Sequence, residues 1–199
     1  MDNNLPTTIT SFRPSKEFGG VLIHFEHKTR ADISPDDLTA LKKFLKVEQN
    51  QTNLYKQRPT ADLAIYIQRL YALGNHSTGI TVLQTEMKTS KTPLSRLQLI
   101  LAETASQEII GFSFVCIKDQ EANPADKVTF TYLGIGWDYT HKGIAAELLR
   151  ERFDDLRTIG IHTYKTRVWK DSRDLYTKLG IQIEQFDPKD KQNVRVTFA

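Results

Sequence analysis

The stretch "YLGIGWDYTHKGIAAELL", residues Tyr132 to Leu149, decides how this chain is read. An apolar run of strand character gives way to a loop of Gly, Asp, Thr, His and Lys, and a helix with one apolar face follows at once. A helix start carries about half a positive charge and several backbone N–H groups without partners. Gly143 removes the side chain that would bar a ligand from this backbone, and Ala145 is small for the same reason. Lys142 adds a full charge. No Glu or Gln stands three residues after Thr140 to complete a capping box, which leaves the amides for an anion. The plain alternative is an ordinary crossover with a glycine in its turn, and spacing alone does not separate the two.

Two other phosphate loops are excluded. A Walker loop ends in Gly-Lys-Ser/Thr, which is absent, and a dinucleotide fingerprint needs a third glycine where Tyr139 stands.

Working outward, "KVTFTYLGIG" is the strand that leads into the loop, and residues 142–158 form the helix after it. That helix is expected to bury Ala145, Leu148, Leu149, Phe153 and Leu156. Arg150, Glu151, Asp154 and Asp155 are left outside, and Gly160 ends it. "IHTYKTRVW" then reads as a strand, which a right-handed crossover makes parallel to the first. "SRDLYTKLG" is a short helix closed by Gly180, and "IQIEQF" and "VRVTFA" are final strands. The last of these is short, β-branched and terminal, an edge through which a homodimer is possible.

Upstream, "SRLQLILAET" and "EIIGFSFVCIK" form an antiparallel hairpin, and "EANPAD" is a turn. "GGVLIHFEHK" is a first strand. Two helices follow it. One is capped by Ser34 with Pro35 at its first position; the other is capped by Thr60 and stopped by Gly74. "TVLQTEMKTSKTP" reads as a short strand and a basic loop, and residues 1–18 as a flexible tail before one domain of residues 19–199.

Composition excludes several classes. At 199 residues the chain makes one sizeable domain, and 27 basic against 24 acidic residues are spread without a basic stripe. Nucleic acid is therefore not an expected partner. No run approaches a membrane span and no apolar leader opens the chain, so neither membrane nor secretion is expected. The lone Cys116 suits a reducing compartment, hence the cytoplasm. It alternates with core residues and reads as packed. The five histidines lack metal spacing, and no metal is expected.

"IGWDYTHKGIAAELL" resembles the coenzyme A-binding motif of the GNAT acetyltransferase superfamily, in which Gln/Arg-x-x-Gly-x-Gly/Ala opens a helix after a polar loop. Gly143 and Ala145 match, and Thr140 departs from the usual Gln or Arg. A second match is "DLYTKLGI", residues 174–181, which is similar to the family's Leu-Tyr-x-Lys-x-Gly-Phe signature, with Ile181 for Phe. The family's Asn is replaced by Trp169. The resemblance is strong over residues 128–181.

It implies an α/β fold with a twisted mixed sheet of about seven strands and helices on both faces. It also implies N-acetyl transfer from acetyl-coenzyme A to a small-molecule or peptide amine. The pyrophosphate would lie on the loop and helix start formed by Thr140, His141, Lys142, Gly143, Ile144, Ala145 and Ala146. The pantetheine arm would pair with Leu133, Gly134 and Ile135, where two parallel strands splay. Tyr176 would protonate the departing thiolate, against a plain reading as a half-buried helix aromatic. The strand carries no carboxylate, so the general base stays open among Glu103, Asp138 and water. The alternative is a non-catalytic acyl-coenzyme A-binding module.

Overall fold

A computed structural model describes residues 15–57, 63–89, 95–118, 121, 123–168 and 170–198. Five strands form one antiparallel sheet in the order β1-β2-β3-β4-β5: Lys16–Phe18, Val21–Thr29, Ser95–Thr104, Ile109–Lys118 and Val128–Ile135. Between β2 and β3 run α1 (Pro35–Lys56) and α2 (Leu63–Thr89). A short α3 (Pro124–Lys127) precedes β5, and a single 3-10 turn, Trp137–Tyr139, leads from β5 to α4 (Ile144–Thr158). β6 (Thr163–Arg167), α5 (Lys170–Lys178), β7 (Gln182–Gln185) and β8 (Asn193–Thr197) complete the order, with a second sheet β6-β8-β7.

Period-two alternation on the first sheet sorts its side chains. Leu97, Leu99, Leu101, Phe112 and Phe114 meet Leu41 and Phe44 of α1 and Ile80 and Leu83 of α2. The opposite face sends Ile23, Phe25, Ile100 and Ile110 against Ile144 and Leu148 of α4. Farther along α4, Leu149, Phe153 and Leu156 share a core with Tyr164, Tyr176, Val194, Val196 and Phe198. Helix α4 thus holds the two sheets together.

Local chemistry explains the elements. Ser34 accepts from the Asp37 N–H while the Asp37 carboxylate accepts from the Ser34 N–H, a full capping box with Pro35 behind it. The β3–β4 turn closes with Gln107 in the left-handed region at φ 61°.

Several expectations are corrected. Gly74 does not stop α2, which continues through the segment expected as a strand to Thr89. His76, Ile80 and Leu83 are all buried at helical spacing, and that packing outweighs the roughly 1 kcal/mol cost of an interior glycine. Thr60, Trp169 and most of the basic loop, residues 90–94, lie outside the described residues.

The expected tail is shortened. Lys16–Phe18 pairs with Val21–Ile23, Phe18 packs edge-on against Phe25, and Lys16 bonds Glu147. Residues 1–14 lie outside the description. Glu151, expected outside, is 3% exposed, because Lys16 and His27 face it from β1 and β2.

The strands are not one mixed sheet of seven. Eight strands form two antiparallel sheets among the described residues, and β5 and β6 share no ladder. The two meet through side chains, with Thr131 Oγ1 2.9 Å from Thr166 Oγ1. Nor is β8 an edge, since it lies between β6 and β7 and pairs with both. The edge argument for self-association falls with it. No helix among the described residues is long and apolar enough to cross a membrane.

Candidate functional site

The loop after β5 is built around two left-handed residues, His141 at φ 61° and Gly143 at φ 89°. Gly143 is the N-cap of α4 and carries no side-chain cap; helix geometry begins at Ile144, two residues later than expected. Its glycine is required by backbone angle, since a Cβ there meets only Phe18 at an ordinary 3.6 Å. The Thr140 hydroxyl donates back to the Trp137 carbonyl at 2.8 Å and leaves the helix amides alone. The N-cap residue thus offers no side chain to the N–H groups of Ile144, Ala145 and Ala146. His141 is exposed, and the Lys142 ammonium sits 5.0 Å from the Tyr139 ring centre.

The first turn also carries Glu147. Burial alone would raise its pKa, but Lys16 and Arg150 hydrogen-bond it and hold it below the ordinary value. The loop and helix start are thus ringed by Lys142, Lys16 and Arg150.

The strand segment lies beside them. Gly136 N–H donates to the Ile110 carbonyl at 2.7 Å, and Gly134 is the register partner of Phe112. Antiparallel alternation turns the backbone groups of Gly134 and Gly136 toward β4, and those of Leu133 and Ile135 away from it. Leu133 and Ile135 thus lie on the edge of β5 that pairs with no strand among the described residues, with the Ile135 backbone in reach of His76. The expected coenzyme segment and loop, Leu133 to Ala146, are contiguous and continuous with the start of α4.

Behind that edge lies a residue the sequence reading overlooked. Arg152 of α4 is 2% exposed. It donates to the Tyr132 carbonyl at 3.3 Å, to Ser113 Oγ at 3.4 Å and to the Tyr176 hydroxyl at 3.0 Å. Among the described residues no carboxylate pairs with it, and its Nε has no partner. Tyr176 itself is 5% exposed, with its hydroxyl 3.5 Å from that of Tyr164. The expectation of a half-buried ring with its hydroxyl in solvent does not describe it.

The opposite face contributes two more titratable groups. His76 Nδ1 of α2 is 2.6 Å from the Tyr132 hydroxyl, and the ring lies against Gly134, whose Cβ would stand 2.7 Å from it. Burial lowers the His76 pKa to about 4, with the Ile135 backbone opposing, so the ring is neutral. Burial likewise pushes the Tyr132 phenol well above its usual value. Glu48 of α1 accepts the Trp137 N–H on Oε2 at 3.0 Å. Neither His76 nor Glu48 carries a motif; each follows helical spacing among apolar residues, and only the docking of α1 and α2 on the sheet brings them to β5.

Of the open candidates for a base, Asp138 is exposed and paired with Arg69 at 3.5 Å. Glu103 lies on β3, two strands from β5, or roughly 10 Å. Burial pushes Cys116 up to about 12, in keeping with a packed thiol. No group of three or more metal-binding side chains occurs among the described residues. A 260 Å³ hollow lined by Arg150, Asp154, Arg157 and Ile181 includes no residue of β5 or its loop.

No protein-family model matches the chain, and neither does any curated protein. Solved structures do match. The PaiA N-acetyltransferase of Thermoplasma acidophilum, in complex with coenzyme A, superposes with TM-score 0.50 and 19% identity, over 87% of this chain and 98% of that one. A GNAT-family acetyltransferase of Listeria monocytogenes gives TM-score 0.49 and 8% identity, over 92% of this chain and 97% of its own. The catalytic domain of a Tetrahymena histone acetyltransferase, also with coenzyme A, gives 0.49 and 12%, over 88% and 92%. At these identities the likeness is one of architecture: the chain has the fold of the GNAT acetyltransferases.

Proposed function

We propose that the protein is an N-acetyltransferase that moves an acetyl group from acetyl-coenzyme A to an amine. The observation that carries this reading is the continuity of an open strand edge at Leu133 and Ile135 with an uncapped helix start at Ile144. Backbone groups on the edge suit an amide-bearing arm, and the helix amides suit a pyrophosphate. His141 and Gly143 hold the loop backbone in its left-handed shape, and Lys142 supplies charge.

The coenzyme supplies an activated thioester, so a neutral amine attacks it without a covalent enzyme intermediate. The chain's part is orientation, polarisation and proton movement. In this reading a backbone N–H at Leu133 or Ile135 polarises the thioester oxygen. Tyr176 supplies the thiolate's proton, and Arg152 ties its hydroxyl to the Tyr132 carbonyl of β5. The site belongs to the reducing cytoplasm and needs no metal.

The test is calorimetric titration with acetyl-coenzyme A, followed by free-thiol release with an amine panel. Binding and amine-dependent release are expected; no coenzyme binding would end the reading. A second reading, a non-catalytic acyl-coenzyme A module, draws on the absence of a carboxylate in β5 and on the burial of Tyr176. Binding without thiol release for any amine would select it.

A further inference from the structure

We propose that the cavity between α1 and the β5–α4 loop anchors the acetyl acceptor by an ammonium group other than the neutral amine that attacks, with the Glu48 carboxylate as its counter-charge. This deepens the transferase reading and rests on it. The cavity, 180 Å³, has apolar walls at Phe44, Val47 and Ile110 and carboxylates at Glu48, Glu108 and Asp138. That combination suits an ammonium on an aliphatic stem.

Acidic residues around a hollow are common, and Glu48 is what sets this one apart. It is 9% exposed, and its Oε2 is taken by the Trp137 N–H. Its Oε1 lies over Gly136, 3.0 Å from where a Cβ would stand, and has no hydrogen-bond partner among the described residues. No Lys or Arg pairs with Glu48 among those residues. The neighbouring Arg69 is held between the Tyr55 and Trp137 rings, at 4.8 and 5.0 Å, and is turned to Asp138. A carboxylate largely withdrawn from water with no cation on it is costly, and an ammonium reaching its cavity-facing oxygen supplies both charge and donors. Burial, with Asp138 adding to it, raises the Glu48 pKa, while the Trp137 N–H and Arg69 work against that rise.

The cavity also has the right address. Gly136 follows Gly134 by two residues of extended chain, about 7 Å, so a bound amine lies a few ångströms from the strand edge assigned to the thioester arm. Gly136 keeps the way open, since a Cβ would meet Glu48 at 3.0 Å and Phe44 at 3.3 Å. Its φ of −58° imposes no glycine, so space is the reason for it.

The probes are 1,5-diaminopentane and n-pentylamine, titrated calorimetrically into the full chain without coenzyme. Both are expected to bind, the glutarate control is not, and Glu48→Gln is expected to weaken binding at least 10-fold. That variant keeps an oxygen for Trp137 N–H, and circular dichroism checks its fold. Gly136→Ala, which fills the space and leaves the charge, is expected to weaken binding as well. Amine binding unchanged in both folded variants, or absent from the unmutated protein at millimolar concentration, overturns the proposal. Coenzyme A is titrated into the same samples. Coenzyme binding without amine binding sinks the cavity and spares the transferase reading; amine binding without coenzyme binding sinks that reading and leaves a cation site.

Discussion

Arg152 and Tyr176 are joined by a 3.0 Å hydrogen bond, in which a buried cation meets only neutral partners among the described residues. The guanidinium reaches β5 with one nitrogen and α5 with the other, so it sets the distance between the strand edge and the tyrosine hydroxyl.

Tyr176→Phe should therefore have two effects. Turnover falls by about 10²-fold with coenzyme affinity nearly unchanged, the usual scale of a lost general acid. Stability falls by about 1.5–3 kcal/mol, because a charged donor loses its acceptor. Steady-state kinetics and denaturant unfolding measure the two separately. A stability loss with unchanged turnover would leave Tyr176 as a core residue only.

Ala145 stands at the second position of α4, where a negative charge favours the helix dipole by about 0.3–1 kcal/mol. Ala145→Asp is expected to keep or raise the melting temperature and to weaken acetyl-coenzyme A by 10-fold or more. Opposite signs in the two measurements identify an anion site. Equal coenzyme affinity in the folded variant would remove the loop from the binding site.

His76 predicts an acid limit. Its pKa falls from 6.5 to about 4 on folding, so the unfolded chain binds the extra proton between those values. Its contribution is complete above pH 6.5 and is lost as pH drops toward 4, by about 3 kcal/mol over the window. His76→Gln keeps a partner for Tyr132 and does not titrate. Urea unfolding across that range should show a flatter pH dependence in the variant; matching slopes would contradict the assignment.

Deleting residues 1–18 removes β1, including Phe18 from the Phe25 edge and Lys16 from Glu147 and Glu151. The exposed ammonium counts for little, and the ring for about 1–2 kcal/mol. At about 2–4 °C per kcal/mol, the melting temperature should fall by about 2–8 °C in calorimetry. An unchanged value would return these residues to the status of a tail.

The fold was legible where one short-range signal decided a segment. The strand–loop–helix order at residues 128–158, the Ser34 cap and the β3–β4 hairpin are of that kind. Segments whose state depends on distant packing were not legible. "TVLQTEM" reads as a short strand, yet its apolar residues reach the sheet only as a helix. The missing ladder between β5 and β6 leaves no mark in either strand. At the site, glycine and loop chemistry announced Gly143, whereas Arg152, His76 and Glu48 sit in ordinary helical positions. Arg152 and Glu48 are buried only because the opposing elements close over them.

The placement of β8 also bears on biogenesis. Strand β8 is translated after both of its neighbours, so β6 and β7 have no ladder partner among the described residues until residues 193–197 have been made. The β1–β5 half, with α1 and α2, has all its own pairing partners already translated. The nascent chain therefore presents a finished half and a waiting half, and a chain cut before residue 193 would leave two orphan strands beside Tyr176.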